Sequence, residues 1–247
     1  MIEINKKKLI FNIKEIWFSD GPFDVKGCDS VLFRACKNKL DAPGFERKEF
    51  TTLITDLSQD LEKIWNNMDK SSCRYIISRA QKEGIKIKIN QNYEDFYKIN
   101  KQFRGGKGLK IGITGSIDFI KKYGTLLVAE FKGEIISGCL FLEDKNNIRW
   151  LLGASKRLEN KEMAKLAGDA NRLLIWEAIK YAKQKGIKEF DFGGYYSGEK
   201  NEEKEKINFF KKSFGGKPAV HYMYERDYSK IFGISEKIYF LLRKKDF

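Results

Sequence analysis

Apolar side chains recur at helical and strand spacing along most of the chain. Between residues 169 and 185 they lie mostly three or four positions apart, which predicts a helix. Gly186 follows as a C-terminal stop. Residues 187–192 then predict a short strand, after which Gly193 and Gly194 allow the backbone to turn sharply. This order of helix, strand and glycine turn places polar groups at a strand end, where ligand crevices form.

The same analysis predicts a mixed α/β chain, with a mostly antiparallel, twisted sheet flanked by helices. Alternation of apolar and polar residues predicts the remaining strands at 8–18, 31–35, 50–56, 85–89, 125–131, 135–142, 148–154 and 220–228. Helical spacing predicts further helices at 58–83 with a break near 69–72, 93–103, 116–123, 208–213 and 231–245. Ser58 and Ser116 are the predicted N-caps.

Composition indicates a folded chain without a membrane-spanning segment. The 247 residues are 42% hydrophobic and 14% aromatic, enough for one large domain or two small, closely packed ones. No apolar run approaches the ~18 residues that span a bilayer. The N-terminal residues lack the apolar segment of a signal peptide, so we expect a cytoplasmic protein.

The charge and the cysteine content limit the kinds of ligand that we expect the chain to bind. The net charge of +14 favours an anionic partner, although a generally lysine-rich composition explains part of it. The four cysteines form no C-x-x-C pair and the chain has one histidine, so we expect free thiols and no metal site. The last predicted helix, 231–245, is basic and amphipathic; it fits packing on the domain or peripheral contact with the inner face of a membrane.

Several motifs resemble the FemAB family of peptidyl and aminoacyl transferases, within the GNAT acyltransferase superfamily. They are Asn171–Trp176, Asp191-Phe192-Gly193-Gly194, Phe210-Lys211-x-x-Phe214-Gly215-Gly216 and, upstream, Arg74–Ile85. The resemblance covers roughly residues 50–224. It implies two GNAT-like halves, here a shortened N-terminal half at 1–90 and a C-terminal acyltransferase half at 91–247 that ends in the amphipathic helix. The long helical arm of the cell-wall members is absent.

The resemblance also implies the catalytic residues. Lys211 matches the family lysine that binds near the acyl ester and stabilises the transition state, and Lys212 is the alternative. Asp191 is placed to orient the acceptor amine or to act as a base, or else it bonds its own turn. Glu130 and Glu143, on predicted central strands, are further candidate bases.

Donor and acceptor residues follow by the same analogy. For the donor, one group of candidates lies at the predicted helix N-terminus, where backbone N–H groups attract phosphate: Gly168, Asn171 and Arg172. The other candidates, Leu152, Gly153 and Ala154, lie at the end of the strand predicted at 148–154. The acyl-CoA loop pattern Arg/Gln-x-x-Gly-x-Gly/Ala is missing there. The candidate acceptor-binding residues are Arg74, Arg79, Gly193, Gly194, Tyr195 and Tyr196.

Together these observations predict an N-acyltransferase. It would move an acetyl or similar acyl group from acyl-CoA to an amine of a sugar or cell-envelope precursor, either a small molecule or lipid-linked. The alternative is transfer of an amino acid from aminoacyl-tRNA to a peptidoglycan precursor or related amine, which the missing CoA loop and the +14 charge favour. A third, non-enzymatic alternative is a nucleic-acid-binding module, whose binding would fall steeply with salt.

Overall fold

The structure is a computed structural model that describes residues 1–109, 112–156, 161–196, 198 and 201–235. Its strands, in chain order, are β1 Ile2–Lys8, β2 Phe11–Trp17, β3 Ser30–Cys36, β4 Glu46–Asp56, β5 Lys86–Ile89, β6 Thr125–Phe131, β7 Glu134–Glu143, β8 Asn147–Ser155, β9 Glu189–Gly194 and β10 Lys217–Asp227. Its α-helices are α1 Leu61–Asn67, α2 Tyr75–Lys82, α3 Tyr93–Gly105, α4 Ile117–Tyr123, α5 Lys161–Gln184 and α6 Glu202–Lys212.

The chain divides into two compact units. Unit 1 comprises 1–51 and 220–247, and unit 2 comprises 52–219. Within unit 1 the strand order is β1-β2-β3-β10, with β2 and β3 parallel and the other pairs antiparallel. Its core is formed by Ile16, Val31, Phe33, Cys36 and Tyr224. The predicted strand 8–18 is therefore wrong in part, because the chain reverses at Leu9 and Ile10 and residues 2–8 form a strand of their own.

Unit 2 is built on the strand order β4-β9-β8-β7-β6-β5. Every pair in it is antiparallel except β8 and β9. Residues 135–142 of β7 are buried without interruption, which indicates that both faces of the sheet are covered. The predicted mixed, mostly antiparallel sheet flanked by helices is confirmed.

Helices cover both faces of this sheet, because successive side chains along each strand point to opposite faces and pack against different helices. Leu127 and Ala129 of β6 join the large core cluster that includes the apolar face of α5. Side chains next along the sheet point to the other face, where Gly138 leaves room for Phe96 of α3. Trp176, on α5, is buried in the same cluster.

The helix boundaries differ from the predicted ones for local reasons. The Ser58 backbone N–H donates to the Asp56 carboxylate, so Ser58 caps no helix, and α1 begins only after Asp60. The break predicted near 69–72 is a π-helical stretch, Lys70–Arg74, which separates α1 from α2. The Asp69 side chain accepts a hydrogen bond from the Ser72 backbone N–H and thereby caps this stretch. Ser116 caps α4 as predicted.

Two predicted helices are too short. The α5 helix already includes Lys161, eight residues before the predicted start, and α6 begins at Glu202 instead of residue 208. The added first turn of α6 is charged and exposed, so it shows no apolar spacing in the sequence. Asn201 caps α6, and acidic residues fill its first turn, which complements the helix dipole.

The boundaries of the two compact units differ from those of the predicted halves, 1–90 and 91–247. The two GNAT-like halves stay a prediction. Residues 231–235 are helical, while residues 236–245 of the predicted terminal helix lie outside the described residues. Across the described parts of the chain, no helix is both long enough and apolar enough to cross a bilayer.

Candidate active site

The candidate site lies in unit 2, where the parallel strands β8 and β9 separate. Their pairing runs from Asn147 opposite Glu189 to Arg149 opposite Asp191 and ends there. Beyond that point β8 continues along β7 to Ser155, and β9 continues to Gly194, opposite Thr52 of β4. The two strands therefore present unpaired facing edges, which is the opening that a ligand can enter.

Backbone irregularities on both outer sides accompany this separation. The register of β8 against β7 shifts between Leu140 and Phe141, opposite Leu152 and Trp150, and that of β4 against β9 shifts between Thr52 and Ile54. Such bulges bend strands and often occur beside active sites. Gly193 adds a left-handed backbone conformation, with φ of +78°, that side chains rarely adopt.

Asp191 is buried at the point of separation and is held by three donors. These are the Thr52 hydroxyl, the Arg149 guanidinium and the Gly193 backbone N–H, the last at 2.7 Å. A buried carboxylate needs such partners because desolvation of its charge is costly. Asp191 thus fixes the guanidinium and the glycine turn on opposite sides of the opening.

Lys211 brings a buried amine to the same place from α6. Its side chain is 9% exposed, and its Nζ donates to the Gly194 carbonyl oxygen at 2.8 Å. The same atom lies 5.7 Å from the centre of the Trp150 ring. Phe210 and Phe214 pack on one another at 5.3 Å, as their spacing predicts, and leave Lys211 on the side of α6 that faces β9.

The environment makes this lysine unusually acidic. Burial, and after it the nearby Arg149 charge, lower the pKa of Lys211 from 10.5 to about 8, and the Asp191 charge opposes both effects. A pKa near the working pH is typical of groups that exchange or share protons during catalysis. Lys212, the sequence alternative, is exposed on the other side of the helix.

The predicted tyrosines lie on the segment between β9 and α6. Tyr196 is fixed by Asn208, whose side chain accepts from the Tyr196 backbone N–H at 3.0 Å and donates to its carbonyl oxygen at 2.6 Å. The Lys204 ammonium lies 3.9 Å from the Tyr196 ring centre. Tyr195 packs against the main core cluster. Asn208 therefore positions this segment next to Lys211, in the same helix.

The predicted donor residues occupy two elements. Leu152, Gly153 and Ala154 lie on β8 beyond the point of separation, along the opening. Gly168, Asn171 and Arg172 lie inside α5 and not at its start, so their backbone N–H groups are not the free amides of a helix N-terminus. The predicted position at a helix N-terminus is therefore wrong, while the role of these residues in donor binding stays a prediction.

Two of these α5 side chains are instead engaged within unit 2. Asn171 bonds Ser155 at 2.7 Å and also accepts from Ser137. Arg172 donates to the Ser72 carbonyl oxygen at 2.5 Å, and its guanidinium lies 4.9 Å from the centre of the Phe210 ring. Arg172 therefore supports Phe210, the residue before Lys211.

Arg74 and Arg79 have structural contacts of their own. Arg79 forms a two-point ion pair with the buried Asp169, at 2.8 Å and 2.9 Å, which ties α2 to α5. Arg74 donates to the Asn66 side chain at 3.1 Å. The candidate bases on other strands are paired as well, Glu130 with Lys88 and Glu143 with Lys185 and the Tyr181 hydroxyl.

Thr52, Arg149 and Trp150 are site residues that the sequence analysis missed. The sequence did contain a signal. Arg149 is the one charged residue in the otherwise hydrophobic stretch from Ile148 to Leu152. A charge on such a strand requires an opposite charge nearby, and Asp191 was already a candidate. Only the parallel register of β8 and β9, which alternation does not encode, pairs the two.

Two cavities elsewhere in unit 2 are lined by other residues. One of about 760 Å³ lies at the opposite end of β9, among Asp56, Lys63, Glu189 and Lys217. Another of about 460 Å³ lies beside the first turns of α5, bordered by the Arg79–Asp169 pair and Lys132. No cluster of three or more His, Cys, Asp or Glu side chains suited to a metal ion occurs among the residues described.

The matched segment and the sheet indicate a GNAT-like fold. Residues 120–205, which contain β6 to β9 and α5, match the family described as the acetyltransferase (GNAT) domain. The likeness predicted from the motifs is thereby confirmed at the level of fold. No curated protein sequence matches the chain.

Solved structures show the same fold at low sequence identity. FemX superposes with a TM-score of 0.67 at 14% identity, over 93% of this chain and 85% of that one. The C-terminal domain of a protein described as a lysylphosphatidylglycerol synthetase, from Agrobacterium fabrum, gives 0.57 at 12% identity, over 80% and 68%. L-PGS from Bacillus licheniformis gives 0.54 at 14%, over 81% and 68%.

Proposed function

We propose that the chain is an N-acyltransferase whose reaction takes place where β8 and β9 separate. The observation that carries this proposal is the buried Lys211 amine, hydrogen-bonded to Gly194 at the open end of β9. An extended donor would enter the opening, with Lys211 at its inner end beside Arg149 and Trp150.

In the proposed step the nitrogen of a neutral acceptor amine attacks the acyl carbon of the donor. A C–N bond forms, and the carbonyl oxygen takes up negative charge in a tetrahedral intermediate. The bond to the leaving group then breaks, the electron pair leaves with the sulfur or oxygen of the donor, and the amine proton is lost to water or to the leaving group. No covalent intermediate on the protein is required.

Lys211 acts in this step as an ammonium that donates a hydrogen bond to the developing oxyanion. One N–H is held by Gly194 and fixes the direction of the side chain, which leaves two for the substrate. Because Lys211 is buried, such a donor stabilises charge more strongly than it would in water. Asp191 acts as a positioning residue, because it holds Arg149 and the Gly193 turn through its own hydrogen bonds.

Acyl-CoA is the proposed donor, and the acceptor is an amine of a sugar or cell-envelope precursor, small or lipid-linked. The match of residues 120–205 to an acetyltransferase domain supports the donor class. Leu152, Gly153 and Ala154 would lie along the donor, and Tyr195 and Tyr196 beside the acceptor.

Aminoacyl-tRNA is the second candidate donor, and one observation favours it. The likeness to FemX extends over 93% of this chain, well beyond the matched domain, and the net charge of +14 suits a polyanion. In that case the same opening would hold the aminoacyl ester at the end of the tRNA, and the leaving group would be the ribose hydroxyl.

Thermal melting with candidate ligands distinguishes the donors. A ligand at 100 times its dissociation constant adds about 2.7 kcal/mol of stability. We expect acetyl-CoA to raise the melting temperature at both 50 mM and 300 mM salt, since part of its binding energy is not ionic. A shift with bulk tRNA and none with CoA species would favour the aminoacyl donor. A tRNA shift lost at the higher salt, with no transfer to any amine, would favour a nucleic-acid-binding module.

A pair of neighbouring lysines tests the catalytic assignment. Lys211→Met should lower kcat by about 10²–10³, the usual loss when an oxyanion donor is removed. Lys212→Met, which changes an exposed lysine in the same helix turn, should leave kcat within about twofold. Equal activity of both variants in steady-state assays with the donor identified above would refute the role of Lys211.

The pH profile tests the protonation state proposed for Lys211. With an acceptor amine whose own pKa lies below about 7, kcat should fall as the pH rises through about 8, because the ammonium deprotonates. In Lys211→Arg the fall should move to higher pH, since guanidinium stays charged. A kcat that rises through pH 8 would instead assign Lys211 as a base.

A further inference from the structure

The β1–β2 hairpin of unit 1 ends in two exposed aliphatic side chains. Its pairing runs from Ile2 opposite Trp17 to Lys8 opposite Phe11, so the connection consists of Leu9 and Ile10 alone. Leu9 is 88% exposed and Ile10 is 83% exposed. Two-residue hairpin connections favour Gly, Asn or Asp, because their backbone must adopt positive φ angles. Large aliphatic residues here contradict ordinary turn chemistry.

Leu9 also occupies a strained backbone conformation. Its φ is +55°, in the left-handed region where a branched side chain is disfavoured. The side chain gains little from folding to offset this, since it remains in water. A residue that is both strained and solvated in the isolated chain indicates a contact made outside the chain.

A second pair of exposed aliphatic residues lies beside this hairpin. The Phe11 ring packs on the Phe232 ring with centroids 5.2 Å apart, which joins the start of β2 to residues 231–235. Ile231 and Ile234, one on each side of Phe232, are 70% and 59% exposed. The hairpin tip and this helical turn thus form one apolar corner, with Phe11 and Phe232 as its buried base.

Lysines border this corner. Lys7 precedes the hairpin tip and Lys230 precedes Ile231, and both are exposed. Of the carboxylates on these strands, Glu15 is paired with Lys6 and Glu3 with Lys14. Exposed aliphatic residues flanked by lysines match the layers of an anionic bilayer, whose acyl chains lie beneath a negatively charged headgroup layer.

We propose that Leu9, Ile10, Ile231 and Ile234 form a lipid-binding corner that inserts into the surface of an anionic bilayer, with Lys7 and Lys230 at the headgroups. A second copy of the chain fits this corner less well. It would bring the same lysines and a further net charge of +14 into contact, and four protruding side chains fall short of a stable interface of about 800 Å² per partner. Binding is measured without turnover, so its failure and that of acyl transfer are separate results.

Vesicle sedimentation of the full chain tests the corner. Wild type should bind phosphatidylglycerol vesicles and bind phosphatidylcholine vesicles more weakly, with the difference lost at high salt. The double change Leu9→Ser and Ile10→Ser should weaken binding at least tenfold. The control Leu109→Ser alters a leucine in unit 2 that is 50% exposed, and it should leave binding unchanged. Failure of wild type to bind, or equal loss in the control, would overturn the proposal.

Leu9→Asn separates lipid binding from a structural role. Asn tolerates the left-handed conformation, so this variant should melt at a higher temperature than wild type while binding vesicles more weakly. If Leu9 served only the fold, the melting temperature would fall and binding would persist. Lys7→Glu should weaken binding to phosphatidylglycerol about fivefold or more, since a lysine near an anionic surface contributes about that factor.

Sedimentation velocity without lipid gives the contrary outcome. A concentration-dependent dimer that is abolished by the Leu9→Ser and Ile10→Ser change, together with no vesicle binding, would reassign the corner to a contact between copies of this chain. If wild type, the Leu9→Ser and Ile10→Ser double variant and Leu9→Asn are all monomers, the result agrees with the lipid assignment.

Discussion

At the scale of single residues, the site contains groups that the fold alone does not favour. Lys211 is a buried amine with a lowered pKa, and Gly193 holds a backbone conformation that costs conformational freedom. Both lie where β8 and β9 separate, and both face Trp150. Residues that lower stability yet lie together in one opening are typical of functional sites.

The burial of Lys211 predicts a trade between stability and turnover. Below pH about 8 the folded chain bears the full cost of a buried ammonium; the cost fades as the pH rises towards 10.5, the ordinary pKa that applies when the chain is unfolded. Lys211→Met should therefore raise the free energy of unfolding at pH 7 by up to about 3 kcal/mol, less about 1 kcal/mol for the lost hydrogen bond. Urea denaturation at pH 7 and pH 10.5 should show the gain shrinking. A variant less stable than wild type at pH 7 would contradict this.

Alanine substitution of the two neighbouring glycines should lower stability by unequal amounts. A Cβ at Gly193 would lie 3.2 Å from the Trp150 carbonyl oxygen, on a backbone with φ of +78°. Gly193→Ala should cost about 1–2 kcal/mol and reduce turnover, since it pushes β8 away from Lys211. Gly194→Ala projects into open space and should cost less than about 0.5 kcal/mol. Thermal melts and kcat of the two variants check this, and equal losses would refute it.

At the scale of elements, the parallel pairing of β8 and β9 over so short a stretch creates the site. The strands meet at Arg149 and Asp191 and then follow different neighbours, and α6 delivers Lys211 across the resulting opening. The long α5 helix behind them is tied to α2 by Arg79 and Asp169. We therefore assign Arg79 to holding two helices together.

This assignment predicts a large stability effect for one arginine. Arg79→Met keeps the aliphatic stem but leaves the buried Asp169 carboxylate unpaired, which should cost roughly 2–4 kcal/mol. Adding Asp169→Leu should restore most of the loss, because no charge then stays buried. Urea midpoints of the single and double variants measure this. An unchanged midpoint in Arg79→Met would contradict this structural role and would leave acceptor binding as the predicted role of Arg79.

The sequence pattern predicted the positions of helices and strands better than it predicted where they begin and end or which strands pair. Apolar alternation located β3 and β6 to β9, and helical spacing located the buried part of α5. The exposed first turns of α5 and α6 were missed because solvated residues carry no periodic signal. Lys211 and Asp191 were selected by motif, whereas Arg149 and Thr52 became visible only with the strand register, which is a non-local property.

At the scale of the whole molecule, the charged groups lie mostly on the surface, whereas the thiols lie mostly in the interior. The net charge of +14 belongs to the surface and favours anionic partners, whether donor or bilayer. The thiols belong mostly to the interior: Cys36, Cys73 and Cys139 are buried, and Cys28 is partly exposed. Burial raises the pKa of the Cys73 thiol to about 11 and raises that of Cys139 further, so neither forms a thiolate near neutral pH.

Thiol labelling therefore reports the integrity of both units at once. In the native chain at pH 8, iodoacetamide should modify Cys28 alone, because Cys28 is the cysteine that solvent reaches. After unfolding in urea, all four cysteines should react. Mass spectrometry of the labelled chain counts the modified thiols. Early modification of Cys73 or Cys139 would show that unit 2 opens locally.

The lowered pKa of Lys211 has a consequence for chemical probes. At pH 7 a lysine with a pKa of about 8 has a roughly 300-fold larger share of neutral, nucleophilic amine than one at 10.5. Among 48 basic side chains, this one amine should therefore be acylated or sulfonylated first by a mild electrophile small enough to enter the opening between β8 and β9. Covalent fragments that bond to Lys211 would occupy the oxyanion position and offer a starting point for selective inhibitors.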